Sequence, residues 1–235
     1  MGSILILNLI QEPLFLISFL FAIVIGLTFH EYSHALVATK LGDYTAKYNG
    51  RLTLNPSKHF DLLGTIFLLL FGFGWAKPVP INPNAFKGKY DELKVALAGP
   101  VSNVLIAIIF TIPYQFIIRF LDWESMNYLI TILKMLEIII GLNLALAVFN
   151  LIPINPLDGS HILKALLPRK SQDSWEAIER QISSFLMVIL VISVFTPLNF
   201  LFFIPWIVKG LDFVISTGIG DVFEAIKFIL HLFIK

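Results

Sequence analysis

The sequence predicts an all-α polytopic membrane protein, and three observations support this prediction. Of the 235 residues, 57% are hydrophobic and only 14% are charged, which leaves too little polar surface for a soluble domain of this length. Long apolar runs recur along the chain, several of them at the roughly 20 residues that a helix needs to cross a bilayer core. The net charge of +1, with no basic tract, argues against nucleic acid as a partner.

Five segments are long enough to cross the bilayer, so we expect a bundle of about five to six transmembrane helices. These segments cover residues 14–40, 92–119, 127–152, 178–196 and 198–217. A further run over residues 62–75 is shorter and contains Gly64, Gly72 and Gly74. We interpret it as a small re-entrant or β-hairpin element, because irregular backbone at membrane depth is tolerated only inside protein or beside a wet cavity.

Basic residues predict the orientation of the chain in the lipid bilayer. Lysine and arginine concentrate between the first and second spans and again between the third and fourth. By the positive-inside rule these loops face the cytoplasm, which puts the N-terminus outside. We therefore expect a multi-pass protein of a prokaryotic cell membrane.

The whole chain, residues 1–235, is expected to form one membrane-embedded domain. Its catalytic core covers about residues 14–168, and accessory spans follow over about residues 175–218. Charged residues recur every three or four positions over residues 219–235, among apolar ones. That spacing predicts an amphipathic helix at the cytoplasmic interface.

The most informative motif is His30-Glu31-Tyr32-Ser33-His34. Residues four apart share one face of a helix, so both imidazoles can bind one zinc ion, and Glu31 can deprotonate the metal-bound water. Ionisable residues at membrane depth are costly and usually functional. Since the chain has no cysteine, its ligands must be histidine and carboxylate. We expect one Zn²⁺ ion, about 15 Å along the helix from its cytoplasmic end near Lys40.

A catalytic zinc site usually has a third protein ligand, and the spacing of the residues leaves its identity open. Pro153 and Pro156 end the third span, and Asp158 follows them on the cytoplasmic side, where His30 and His34 are expected. The other candidates are the remaining histidines, His59, His161 and His231. Of these His161 is the strongest, and spacing alone does not decide between it and Asp158.

The two motifs together resemble the site-2 protease family of intramembrane zinc peptidases. That family pairs H-E-x-x-H in one span with an N-P-x-D-G-like motif at a later one, matched here by Asn155-Pro156-Leu157-Asp158-Gly159. Residues 51–56, 74–80 and 98–103 also resemble stretches of its short members, and the likeness covers about residues 14–168. The resemblance implies zinc ligands His30, His34 and Asp158 and catalytic Glu31. It also places Asn103 near the active site, as a donor to substrate or to the developing oxyanion.

The resemblance implies a zinc-dependent endopeptidase that cuts within or near transmembrane helices of other proteins. We expect the substrate to bind as an added strand on an exposed edge, with residues 47–55 and 62–75 as candidates for that edge. Alternatives are another class of membrane zinc protease, a membrane zinc-binding or transport protein, and an inactive relative that binds transmembrane partners. A transporter is disfavoured because the sequence shows one metal cluster and no internal repeat. An inactive relative would not need Glu31.

Overall fold

The structure is a computed structural model that describes residues 12–71, 74–195 and 203–233. These ranges contain eight α-helices, two single turns of 3₁₀ helix at Pro56–Lys58 and Pro83–Ala85, and no strand. The prediction of an all-α fold is therefore confirmed. The helices are α1 (Pro13–Lys40), α2 (Thr45–Tyr48), α3 (Leu62–Phe71), α4 (Asp91–Phe120), α5 (Asn127–Asn150), α6 (Asp158–Leu166), α7 (Arg169–Phe195) and α8 (Ile204–Phe233).

Three helices in the described ranges, α1, α4 and α5, are long and apolar enough to cross a membrane. They confirm the first three predicted spans. The C-terminal part differs from prediction, because α7 already begins at Arg169 and α8 continues without a break through residue 233. Residues 219–233 are therefore part of α8 and not a separate interfacial helix. The junction between the last two predicted spans, residues 196–202, lies outside the described residues.

Helices α1, α4 and α5 pack against one another, and α8 packs on α4 and α5. In lipid such packing depends on close approach more than on hydrophobic burial. Gly26 of α1 shows this, since a Cβ there would lie 2.8 Å from Leu146 Cδ1 and 2.9 Å from Asn143 Oδ1. Aliphatic side chains of α4 and α5 form the main apolar core: Ala107, Ile117, Leu129, Leu133, Leu136, Ile140 and Leu144.

The described parts of the run over residues 62–75 are α3 and residues 74–75, which lie beside α3 as the second limb of a hairpin. Its two ends meet, because the Lys77 N–H donates to the His59 carbonyl over 2.8 Å. Inside the hairpin Gly64 and residues 74–75 touch backbone to backbone, and a Cβ on Gly64 would lie 2.1 Å from the Trp75 carbonyl oxygen. The described residues therefore fold back on themselves through a helix and not a β-hairpin, and their position in the membrane stays a prediction.

The other predicted edge, residues 47–55, is not a strand. Its first residues belong to the short helix α2, and the Arg51 N–H then donates to the Ala46 carbonyl to close a turn. Gly50 makes this turn possible with a φ of +66°, a value that glycine adopts without strain. This segment therefore offers no exposed edge, and the prediction was wrong for it.

Candidate active site

Two histidines of α1 and one aspartate of α6 converge at one point. His30 and His34 lie one turn apart on the same face, with their Nε2 atoms 3.1 Å apart. The carboxylate of Asp158 bridges them, with Oδ2 3.0 Å from His30 Nε2 and Oδ1 3.2 Å from His34 Nε2. In the described part of the chain these three residues form a group whose ligating atoms all lie within 4.8 Å of one another.

Asp158 reaches this point because α6 starts directly against the end of α5. The turn after α5 contains a cis peptide bond between Asn155 and Pro156, and Asp158 is the first residue of the next helix. Gly159 allows the close approach, since a Cβ there would lie 2.3 Å from the Ile152 carbonyl oxygen. The glycine of the sequence motif thus follows the aspartate for a steric reason.

Hydrogen bonds on the far side of each ring orient both imidazoles. The Nδ1–H of His34 donates to the Val95 carbonyl over 2.7 Å, and a carbonyl can only accept. His30 Nδ1 lies 2.7 Å from Asn103 Oδ1. The amide nitrogen of Asn103 donates to the Gly26 carbonyl, which fixes its oxygen toward His30. Both rings then carry their proton on Nδ1 in the neutral form, so both Nε2 lone pairs face Asp158.

This donor set fits a zinc ion. Asp158 supplies a carboxylate, which is the usual form of an aspartate side chain at neutral pH. Its Oδ2 is buried and accepts no hydrogen bond from any described residue. Three lone-pair atoms at such short range repel one another unless a cation lies between them. Two imidazole nitrogens and one carboxylate oxygen are ligands typical of catalytic zinc.

Helix α4 passes directly beside the two rings, and it does so at Gly99. A Cβ on this residue would lie 2.3 Å from His34 Nε2 and 2.5 Å from His30 Nε2. In the sequence, Gly99 lies within residues 98–103, one of the stretches that resemble the site-2 protease family, and no role was predicted for it. A glycine inside an otherwise apolar helix usually has a packing reason, and that signal was available.

Glu31 lies in the same cavity, which has a volume of about 550 Å³. The side chain is buried, and its Oε2 accepts a hydrogen bond of 3.1 Å from the Val79 N–H. Residues 74–79 form one wall of the cavity, and apolar residues of α1 and α5 form another. A carboxylate thus faces the ligand group inside a largely apolar enclosure.

The other residues predicted for the site lie at different positions relative to the ligand group. Asn103 is fully buried behind His30, and its amide N–H groups are both used, toward Gly26 and toward the Asn143 side chain over 3.1 Å each. This geometry corrects the expected contact with substrate or oxyanion, because no N–H is left to donate. His161 lines the cavity without joining the ligand group. His59 is buried away from it and donates to the Thr53 carbonyl, and the side chain of His231 lies outside the described part.

Comparison with known proteins agrees with this chemistry. The family model described as Peptidase family M50 matches residues 117–194, past residue 168, where the motif resemblance ends. The candidate zinc metalloprotease YwhC of Bacillus subtilis is 38% identical over 210 residues, covering 87% of this chain and 92% of the relative. The candidate zinc metalloprotease MJ0611 of Methanocaldococcus jannaschii is 34% identical over 154 residues, which are 64% of this chain and 70% of the relative. No solved structure matches the chain.

Proposed function

The chain belongs to peptidase family M50 as a membrane zinc metalloprotease of the site-2 protease type, and we propose that it cuts within or near transmembrane helices of other proteins. One observation carries the proposal. Two of the three ligating side chains lie on one face of α1, a helix apolar enough to cross a membrane, and Asp158 of α6 meets them there. Ionisable groups at that depth are costly, which favours chemistry performed within the bilayer.

We assign His30, His34 and Asp158 as ligands of one zinc ion and Glu31 as the general base. Zinc, when bound, supplies the Lewis acidity that makes a water molecule nucleophilic and polarises the scissile carbonyl. Glu31 accepts the proton of the attacking water and passes it to the leaving amine nitrogen. The Val79 N–H holds Oε2 of Glu31, which leaves Oε1 for this proton transfer.

The substrate class follows from the cavity. Leu27, Leu146, Phe149, Ile154 and Val79 line it, and these side chains suit the apolar residues of a transmembrane segment. A helical substrate must first unwind, because its peptide bonds are shielded by their own helix. Residues 74–76 border the cavity next to the paired backbone groups of residues 77–79, and we propose that they hold an unwound segment through backbone hydrogen bonds.

The proposed setting is a single membrane-embedded protease domain in the cell membrane, with the N-terminus outside and the active site toward the cytoplasm. The basic loops support this orientation. The position of the site agrees with it, since His30 lies about 15 Å along α1 from Lys40 at a rise of about 1.5 Å per residue.

The test combines zinc content with cleavage of a panel of transmembrane peptides in proteoliposomes. We expect one zinc per chain in the wild type. Glu31→Gln should keep the zinc and lose cleavage by about 10²-fold or more, because proton transfer is lost while the ligands remain. Asp158→Ala should lose both the zinc ion and the cleavage activity. Asp122→Ala, on the loop after α4, is the matched control and should behave as the wild type.

Two results would contradict the proposal. Cleavage by Glu31→Gln at the wild-type rate would refute the assigned base. A wild-type protein that holds zinc but cuts none of the peptides would favour a zinc-binding or transport protein instead.

A further inference from the structure

A buried arginine outside the ligand group contacts the wall of the active-site cavity. Arg51 follows α2, and only 6% of its surface is exposed. Its guanidinium donates through Nη1 to the Pro78 carbonyl over 3.1 Å and through Nη2 to the Lys77 carbonyl over 2.5 Å. One side chain therefore fixes two successive peptide groups of the segment that forms the cavity wall. A planar fork with several donors suits this task better than an ammonium group.

The second of these peptide groups also contacts Glu31. The Val79 N–H donates to Glu31 Oε2, and it belongs to the peptide bond whose carbonyl, that of Pro78, receives Arg51 Nη1. The peptide unit between residues 78 and 79 thus joins the guanidinium to the carboxylate. The Val79 side chain is buried in a small cluster with Ala35 of α1 and Ala46 of α2, which holds the segment from its other side.

Two further observations indicate that this arginine does more than fill space. Its Nε is buried and has no hydrogen-bond partner among the described residues, an arrangement that a purely structural site would avoid. The guanidinium and the Glu31 carboxylate also bind opposite ends of one peptide unit, so two opposite charges lie on its two sides. A positive charge buried inside the protein has a desolvation cost that an apolar side chain of equal volume would not have.

We propose that Arg51 is a positioning residue for Glu31, acting through the 78–79 peptide unit. The inference rests on the proposed function and deepens it. A glutamate side chain has three rotatable bonds, so an unrestrained carboxylate would spend little time in the geometry that proton transfer needs. With residues 77–79 fixed by Arg51, the Val79 N–H anchors Oε2 and directs Oε1 to the reacting water. Misplacement of a catalytic group by about 1 Å can cost about 10²-fold in rate.

The test measures kcat, KM and zinc content in proteoliposomes for Arg51→Met and Val79→Pro. The first change removes the guanidinium donors. The second removes the N–H that donates to Glu31, and it also replaces the Val79 side chain and restricts the backbone. Each should lower kcat by about 10- to 100-fold, with KM and zinc content unchanged. Because both act on one link, the double variant should lose no more than the worse single variant. Lys58→Met is the matched control, since it removes an exposed charge and leaves the link intact.

A readout independent of turnover is the affinity for a peptide hydroxamate, a zinc-binding inhibitor whose hydroxyl proton a positioned base accepts. We expect Arg51→Met to weaken it by about 10-fold, close to the value of one charge-assisted hydrogen bond. If thermal unfolding in detergent shows that Arg51→Met does not fold, Arg51→Lys replaces it, because one ammonium cannot hold both carbonyls in the same geometry.

The outcomes separate this inference from the function on which it rests. Wild-type protein that cuts, with Arg51→Met and Val79→Pro within twofold of it, overturns the positioning role alone. Losses that multiply in the double variant, or that follow a parallel loss of zinc, overturn it as well, since they indicate separate structural defects. Wild-type protein that cuts no peptide overturns the proposed function and this inference together.

Discussion

Two cavities of nearly equal volume lie along α4, and they differ in how their polar side chains are held. The active-site cavity measures about 550 Å³ and contains the ligand group. A second cavity of about 540 Å³ lies between α4, α5 and α8. Ionisable side chains line both, although the helices that form them are mostly apolar. Their residue types alone would not tell which cavity performs chemistry.

The difference lies in how the polar groups are held. In the first cavity each imidazole is fixed by a buried acceptor, and three ligating atoms converge. In the second, Glu137 accepts from the Tyr114 hydroxyl over 2.9 Å and Asp212 from the Ser216 hydroxyl over 3.3 Å. Lys209 lines the same cavity. Convergence supported by a second layer of hydrogen bonds, more than charge at membrane depth, therefore distinguishes a reactive site.

The largest effect that would test this comparison is expected at Gly99. Gly99→Ala places a methyl group within 2.5 Å of both Nε2 atoms, so the rings must move and the ligand geometry is lost. We expect loss of zinc, measured by elemental analysis, and a fall in cleavage of more than about 10²-fold. Gly141 of α5 lines the second cavity and has nothing within 4 Å of a built Cβ, so Gly141→Ala is the control and should have little effect. Zinc retained by Gly99→Ala would show that the rings are not held as described.

The second effect concerns the layer behind the ligands. Asn103→Ala removes the acceptor of His30 Nδ1 and frees the ring to rotate or change tautomer. Loss of such a partner typically costs about 10- to 100-fold in metal affinity, which competition with a chelator measures. Asn143→Ala, one hydrogen bond further out, should cost less. Equal effects of the two variants would indicate a general packing defect in place of a graded network.

The third effect separates the two ligand candidates that spacing left open. His161→Ala should keep one zinc per chain, because the side chain lines the cavity without joining the ligand group. Because the His161 side chain of the wild type lines the cavity and can contact substrate, KM is measured alongside zinc content. We expect KM to rise by less than about tenfold. Loss of zinc in this variant would show that His161 is a zinc ligand and that Asp158 only supports it.

The sequence predicted the first three spans and the two motifs well, because helix length, hydropathy and i,i+4 spacing are local properties. It left Asp158 and His161 open, since the two residues are one turn apart and only tertiary packing decides which faces α1. Asn103 was placed near the site, but its role needed the hydrogen bonds of Gly26 and Asn143, which lie on two other helices. Arg51 was missed as a functional residue for the same reason, as its partners follow 26 and 27 residues later.

The smallest effect is expected in the second cavity itself. Glu137→Gln and Asp212→Asn neutralise its two carboxylates without changing side-chain volume. Neither residue contacts the ligand group, and Glu137 lies about 9 Å from Asn143 along α5, at about 1.5 Å per residue. We therefore expect zinc content to be unchanged and cleavage to stay within about twofold, since distant sites without shared partners act independently. A clear loss of cleavage with zinc retained would mean that α8 transmits a change from this cavity to the active site. The two cavities would then be coupled, and convergence alone would not define the functional part of the molecule.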